Sequence, residues 1–212
     1  MTSPLDPADP ARARALAGIG EPVLAVADEP RGLLAVAGAD RYGQALRLGV
    51  FGTGARPALL REFACEYPVN ALAFHPDAPL LAVGTGEYDG GYAFLGALLL
   101  IRLDTWAVRP LFAEGCSRSV LDVRWTAQHR LRLHLAPYDD DGDEAAHEEA
   151  HLVTVERAHW PAAPARSLTN DRLQGPRVPY PHPDSGPGNA VAAEARRLTD
   201  RLLRPPSHRH NH

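Results

Sequence analysis

VNALAFHPDAPLLAVG, residues 69–84, decides the fold. Two apolar runs flank the polar turn HPDAP, a pattern that reads as a β-hairpin. Shifted by 51 residues without a gap, it falls on VLDVRWTAQHRLRLHL, residues 120–135. Val69 then meets Val120, Leu72 meets Val123, Phe74 meets Trp125, Leu80 meets Leu131 and Ala82 meets Leu133. A weaker copy lies 47 residues upstream in PVLAVADEPRGLLAVAG, where residues 33–36 fall on 80–83. Self-similarity at such a period marks a repeat architecture.

A third apolar run follows in each unit: Ala45–Phe51, Ala97–Trp106 and His151–Trp160. The last two align without gaps at an offset of 54, Trp106 on Trp160. A fourth run, Ala58–Ala64 and Val108–Ala113, completes the first two units. Four short strands recurring about every 50 residues describe a propeller blade. The stretch V-x-x-L-A-F-H-P-D-x-x-L-L-A-V-G, followed by G-x-L-x-L-x-R-L-D, resembles a WD40 repeat, and the resemblance spans Pro22 to Trp160. It implies an all-β fold: a partial WD40-like β-propeller of about three four-stranded antiparallel blades at 22–64, 69–115 and 119–160. The chain departs from the family pattern in three ways. No blade ends in Trp-Asp, no Gly-His precedes a first strand, and the periods of 47 and 51 exceed the usual repeat of about 40–45 residues.

Three blades are too few for a ring, since propellers have typically 4–8. Pro161 and Pro164 interrupt the chain after Trp160, so the third unit shows no fourth run. An open arc leaves strand edges and apolar faces unpaired. Three resolutions follow: a homodimer, completion by a protein partner, or a tail folded back over the open edge. Assembly with another chain is the expectation.

Residues 1–21 form an N-terminal arm, in which Asp9 and Pro10 could open a short helix over 9–18. Residues 161–212 contain nine prolines, including PRVPYPHP at 176–183, and predict extended backbone. Within them 189–204 predicts one helix, capped by Asn189 and stopped by Pro205 and Pro206. Val191, Ala195, Leu198 and Leu202 give it an apolar stripe suited to docking on the chain's own core, or else in a partner's groove.

Composition excludes several chemistries. The 212 residues carry a net charge of −4, with no basic field for nucleic acid or anionic membrane. All 22 Lys+Arg residues are Arg. Without Lys there is no phosphate-loop lysine, kinase strand lysine or Schiff base. Abundant Ala, Arg, Pro and Gly match a GC-rich, bacterial genome. Residues 1–20 show no signal-peptide pattern, and the longest apolar run, Ala97–Ile101, is far short of a membrane span. Two cysteines give no disulfide framework, so a cytoplasmic setting is expected.

HEEAH at His147–His151 matches H-E-x-x-H, in which a helix presents two His to zinc and Glu polarises water. His147, Glu148 and His151 would then serve a zinc-dependent metallohydrolase or peptidase. The blade alignment puts His151 at the start of a strand, which breaks that helix. The acidic loop Tyr138–Ala150 offers Asp139, Asp141 and Asp143 to a hard cation, without the spacing of an EF-hand. Cys65 and Cys116 sit at the repeat offset and read as equivalent packing positions. The run GTGEYDGGYAFLG lacks dinucleotide-site spacing, and no cofactor is expected. The preferred reading is a non-catalytic protein-binding or scaffolding subunit. Its contact face would gather the loops at Asp40–Gly43, Glu87–Gly96 and Tyr138–Ala150, with Tyr88, Asp89, Tyr92, Phe94, Asp139 and Asp141 as binding residues.

Overall fold

The computed structural model describes residues 16, 18–90, 93–137, 149–180 and 188–203. Three four-stranded antiparallel sheets and one long helix account for the architecture. The first sheet runs β1 (Glu21–Asp28), β2 (Leu33–Ala39), β3 (Arg47–Gly52) and β4 (Ala58–Ala64). The second contains β5 (Val69–Phe74) and β6 (Leu80–Thr85). A small hairpin, β7 (Glu87–Tyr88) and β8 (Phe94–Leu95), then precedes its outer strands β9 (Leu98–Arg102) and β10 (Val108–Pro110). The third contains β11 (Val120–Ala127), β12 (Arg130–Leu135), β13 (Glu149–Glu156) and β14 (Arg177–Pro179).

The sheets stand in a row, and burial patterns explain the order. All six residues of β6, LLAVGT, are buried, because the second sheet is covered on both faces. Leu81, Val83 and Ile101 pack toward Ala35, Ala37 and Val50 of the first sheet. Leu80, Ala82 and Leu100 pack toward Val123, Leu131 and Leu133 of the third. Strand β12, RLRLHL, alternates instead: its leucines are buried while Arg130 and Arg132 are exposed. Its outer face, shared with Asp122, Arg124, Thr154 and Glu156, is polar apart from the half-buried Leu152 opposite His134. The row therefore ends in a surface that water can cover, as a terminal repeat requires.

At the other end, the back of the first sheet is apolar and helix α1 (Gly188–Leu203) covers it. Leu198, Leu202 and Leu203 pack with Leu16 and Ile19 on Leu34, Val36 and Phe51. Exposed ion pairs from Arg196 to Glu21 (2.7 Å) and Arg201 to Glu29 (3.3 Å) tie the helix to the first hairpin. Exposed pairs contribute little, so apolar burial holds the helix. Docking on the chain's own core is thus the observed arrangement. The helix begins at Gly188, one residue before the expected Asn189 cap, and residues 9–15 and 17 of the helix expected over 9–18 lie outside the described residues.

Several expectations are corrected. Phe74 and Trp125 are equivalent, but Phe74 pairs with Leu81 while Trp125 pairs with Leu131. The third hairpin turn is one residue shorter, so Leu131 and Leu133 match Leu81 and Val83, not Leu80 and Ala82. A one-residue slip exchanges the two faces of a strand. Strand β10 stops at Pro110 rather than Ala113, and Phe112 instead bridges Leu168 in parallel. The third sheet does possess a fourth strand. It is β14, supplied by the proline-rich segment and paired with Glu149–His151. Prolines are tolerated there because it is an edge strand. The tail also seals the seam between the second and third sheets, burying Ala163, Leu168 and Leu173 in their common core.

Candidate interaction site

Strand directions place the β2–β3 loop, the β7–β8 hairpin and β14 at one end of the sheets. Tyr88 and Phe94 face each other across the β7–β8 hairpin, with ring centroids 4.9 Å apart. Tyr180, just beyond β14, meets Phe94 edge-on at 5.2 Å. The cluster thus joins the second sheet to the outer strand of the third. Tyr88 remains 53% exposed, whereas Phe94 and Tyr180 are half-buried. Burial raises the Tyr180 phenol above its ordinary 10.0, so the ring stays neutral near pH 7.

The hairpin is anchored, not free. Asp89 Oδ1 accepts from Ala93 N–H at 3.2 Å and closes its tip. Ser119 N–H donates to the carbonyl of Phe94 (3.2 Å), Gly96 N–H donates to Ser117 Oγ (3.0 Å), and Asn70 Nδ2 donates to the carbonyl of Gly86 (2.8 Å). At the same end, Asp40 Oδ1 accepts from the N–H groups of Tyr42 (2.8 Å) and Gln44 (3.0 Å). Tyr42 is 73% exposed, with the Arg41 guanidinium 4.7 Å from its ring centroid.

Of the residues expected on this face, Tyr88, Asp89 and Phe94 are brought together. Tyr92, Asp139 and Asp141 lie outside the described residues, as do His147 and Glu148. Tyr42 and Tyr180 were not anticipated. Tyr180 is the one aromatic in PRVPYPHP, but nothing in the sequence links it to Phe94, 86 residues away.

His151 is the third residue of β13 and pairs with Leu135 and Arg177. A strand cannot set it one helical turn from His147, so the geometry that H-E-x-x-H needs is absent at Glu149–His151. Burial pushes the His151 imidazole below its ordinary 6.5, with Arg118 and Arg177 adding to the shift. Among the described residues, no group of three or more His, Cys, Asp or Glu could hold a metal ion. Arg118 is fully buried and structural in use: Nη1 donates to the Leu173 carbonyl (3.0 Å) and Nη2 to that of Ala136 (2.9 Å).

Cys65 and Cys116 are free thiols in the connections between sheets. Cys65 packs in the core between the first and second sheets, Cys116 in that between the second and third. Their equivalence is therefore one of packing. Burial pushes the Cys65 thiol up to about 11, which makes it a poor nucleophile. Cys116 Sγ donates to Asn170 Oδ1 at 2.8 Å.

The opposite end carries the hairpin turns, and a hydrogen-bond chain links all three. Asp28 pairs with Arg31, whose Nη2 donates to the carbonyls of His75 (2.9 Å) and Pro76 (3.0 Å). His75 in turn reaches the Gln128 carbonyl at 2.8 Å. The sequence held a signal for this: Asp28 and His75 coincide at the 47-residue offset. Both cap their turns, Asp28 Oδ1 accepting from Arg31 N–H (3.3 Å) and His75 Nδ1 from Ala78 N–H (2.9 Å).

No protein-family model and no curated protein matches the chain. The functional reading therefore rests on geometry and chemistry.

Proposed function

We propose that the chain is a non-catalytic protein-binding module, built as a three-bladed, WD40-like arc, that engages its partner with the end bearing Tyr88, Phe94 and Tyr180. The observation that carries this reading is the exposed ring of Tyr88, held by Phe94 on a hairpin fixed to the neighbouring sheet. A rigid, part-exposed aromatic binds with little loss of side-chain freedom and is the commonest kind of interface anchor. Asp89 and the acidic loop favour a partner with basic residues around an apolar socket.

The ends of the row bear on how the module assembles. The apolar back of the first sheet lies under α1 and the outer face of the third is polar, so ring completion is not needed to cover apolar surface. The partner, a second copy or another protein, is placed at the loop end instead. Free thiols and the lack of a sufficiently long, apolar helix among the described residues fit a cytoplasmic role.

The test is co-purification from the native host with tagged full-length protein, comparing the parent with Tyr88→Asp. The substitution lies on an exposed site and should leave the thermal midpoint within a few degrees. Proteins captured stoichiometrically by the parent and lost from the variant support the reading. An identical set from both variants sinks it.

A further inference from the structure

Strand β14 is the most weakly held part of the third sheet. It has three residues, Arg177–Pro179, pairs only with Glu149, Ala150 and His151 of β13 among the described residues, and includes a proline without an N–H. Upstream, the fully buried Leu173 anchors the segment. Beyond it, the Pro176 carbonyl accepts from Leu152 N–H (2.9 Å), and an exposed ion pair joins Arg177 to Glu149 (3.2 Å). An edge strand this short belongs to the part of a fold that opens first.

His151 lies against this strand. Its ring is 7% exposed and shares one face of the sheet with Leu135 and Arg177, its partners in register on β12 and β14. Two guanidiniums act on it. Arg177 is directly opposite, and Arg118, in the connection before β11, reaches the Ala136 carbonyl beside Leu135 at 2.9 Å. Among the described residues Glu149, on β13 itself, is the one carboxylate acting on the ring, and it is shared with Arg177. Strand β12 presents only the uncharged Leu135 here. His151 Nδ1 has no hydrogen-bond partner among the described residues. A protonated imidazole carries a hydrogen on both nitrogens, so with β14 in place Nδ1–H lacks an acceptor and three cations meet one carboxylate. Burial and the two arginines accordingly hold the imidazole below its ordinary 6.5.

We propose that β14 is an acid-released strap: when His151 takes up a proton, residues 177–180 lift from the third sheet and Tyr180 leaves Phe94. The sign follows from which state binds the proton. Lifting β14 opens the ring to water, where it titrates near its ordinary value, while the closed strand refuses the charge. Closure is thus fully favoured well above pH 6.5 and weakens as pH falls through that value. Tyr180 meets Phe94 at 5.2 Å and Phe94 supports Tyr88 at 4.9 Å, so lifting removes one wall of the aromatic cluster. Acid control of partner binding rests on the Tyr88 reading; the strap itself does not.

Hydrogen exchange of the full-length protein, read at single amides by NMR at pH 7.5 and 5.5 and corrected for intrinsic rates, tests the strap without a partner. The amides of Ala150, Leu152 and Val178 should exchange faster than those of β12 at both pH values, which marks local opening. Their protection should fall by up to about tenfold at pH 5.5, about one unit below the ordinary imidazole value. His151→Leu should show the same protection at both pH values. Arg177→Gln, at an exposed site, removes one cation facing the ring and should shrink the fall. Three results overturn the proposal: protection that does not change with pH, a fall as large in His151→Leu or Arg177→Gln as in the parent, or exchange no faster than in β12. If Tyr88→Asp captures the parent's full set of proteins while the strap still opens, the Tyr88 reading falls and the strap stands.

Discussion

His75 Nε2 lies 2.8 Å from the carbonyl oxygen of Gln128, and this contact joins the hairpin turn of the second sheet to that of the third. The other ring nitrogen, Nδ1, accepts from the N–H groups of Asp77 (3.0 Å) and Ala78 (2.9 Å). The two sets of partners define the tautomer: Nε2 carries the hydrogen and Nδ1 accepts. The ring is buried against Trp125, with centroids 4.5 Å apart, and Trp125 in turn meets Trp160 edge-on at 4.9 Å.

His75→Leu should cost about 2–3 kcal/mol, because it strands turn N–H groups and the Gln128 carbonyl at a largely buried site. His75→Asn should cost less. The Asn amide oxygen can replace Nδ1 as the turn cap, though it does not reach Gln128. Urea unfolding midpoints of the two variants against the parent check the order.

Stability should fall as pH drops below neutrality. Burial lowers the pKa of His75, His134 and His151 from the ordinary 6.5. Well above 6.5 all three are neutral in both states and their contribution is fully present. As pH falls through 6.5 the unfolded chain takes up protons that the folded chain refuses, so unfolding becomes easier. Unfolding curves at pH 8 and 5.5 should show this loss, and His75→Asn should show a smaller one. A flat profile would contradict the burial of these rings.

Gly84 sits where the second sheet meets the third, and a Cβ there would come 2.5 Å from Val120 Cγ1. Both residues lie on paired strands and neither backbone can yield easily. Gly84→Ala should therefore destabilise by about 1–3 kcal/mol. Adding Val120→Ala removes the 2.5 Å clash with Cγ1, although the Cβ stays 2.9 Å away, so the double variant should lose less than the sum of the single losses. A double-mutant cycle by chemical denaturation measures the coupling.

Ala195, on the buried face of helix α1, is 1% exposed. Ala195→Asp places a charge against the apolar back of the first sheet, and the helix should detach rather than bury it. Trypsin should then cut faster at Arg196, Arg197 and Arg201. The thermal midpoint should drop by roughly 5–10 °C as Leu34, Val36 and Phe51 lose their cover.

Much of the architecture was legible in the chain because it is written locally. Apolar runs broken by DEPRG and HPDAP locate β1, β2, β5 and β6, and the expected Ala58–Ala64 run is β4 to the residue. The contrast between LLAVGT and RLRLHL even records which sheet is covered on both faces. Tyr88 and Phe94 were visible as aromatics on a glycine-rich loop. Their partner Tyr180 was not, since 86 residues separate Phe94 from it and no periodicity links them.

What the sequence alone determined about this protein is its set of hairpins, their antiparallel pairing and the docking character of its last helix. These depend on short-range turn chemistry and on the alternation of apolar side chains. Only the tertiary structure decided three other things. It fixed which face of β12 meets the second sheet, it assigned Arg177–Pro179 to the third sheet, and it made His75 a clasp between turns. The first turns on the length of one hairpin turn, and the other two depend on groups far apart in sequence. The register of β12 shifts when a turn loses one residue, β14 pairs only because the edge of β13 is open to it, and His75 bonds a carbonyl 53 residues away. Non-local hydrogen bonds leave no periodic trace in a chain, so geometry alone reveals them.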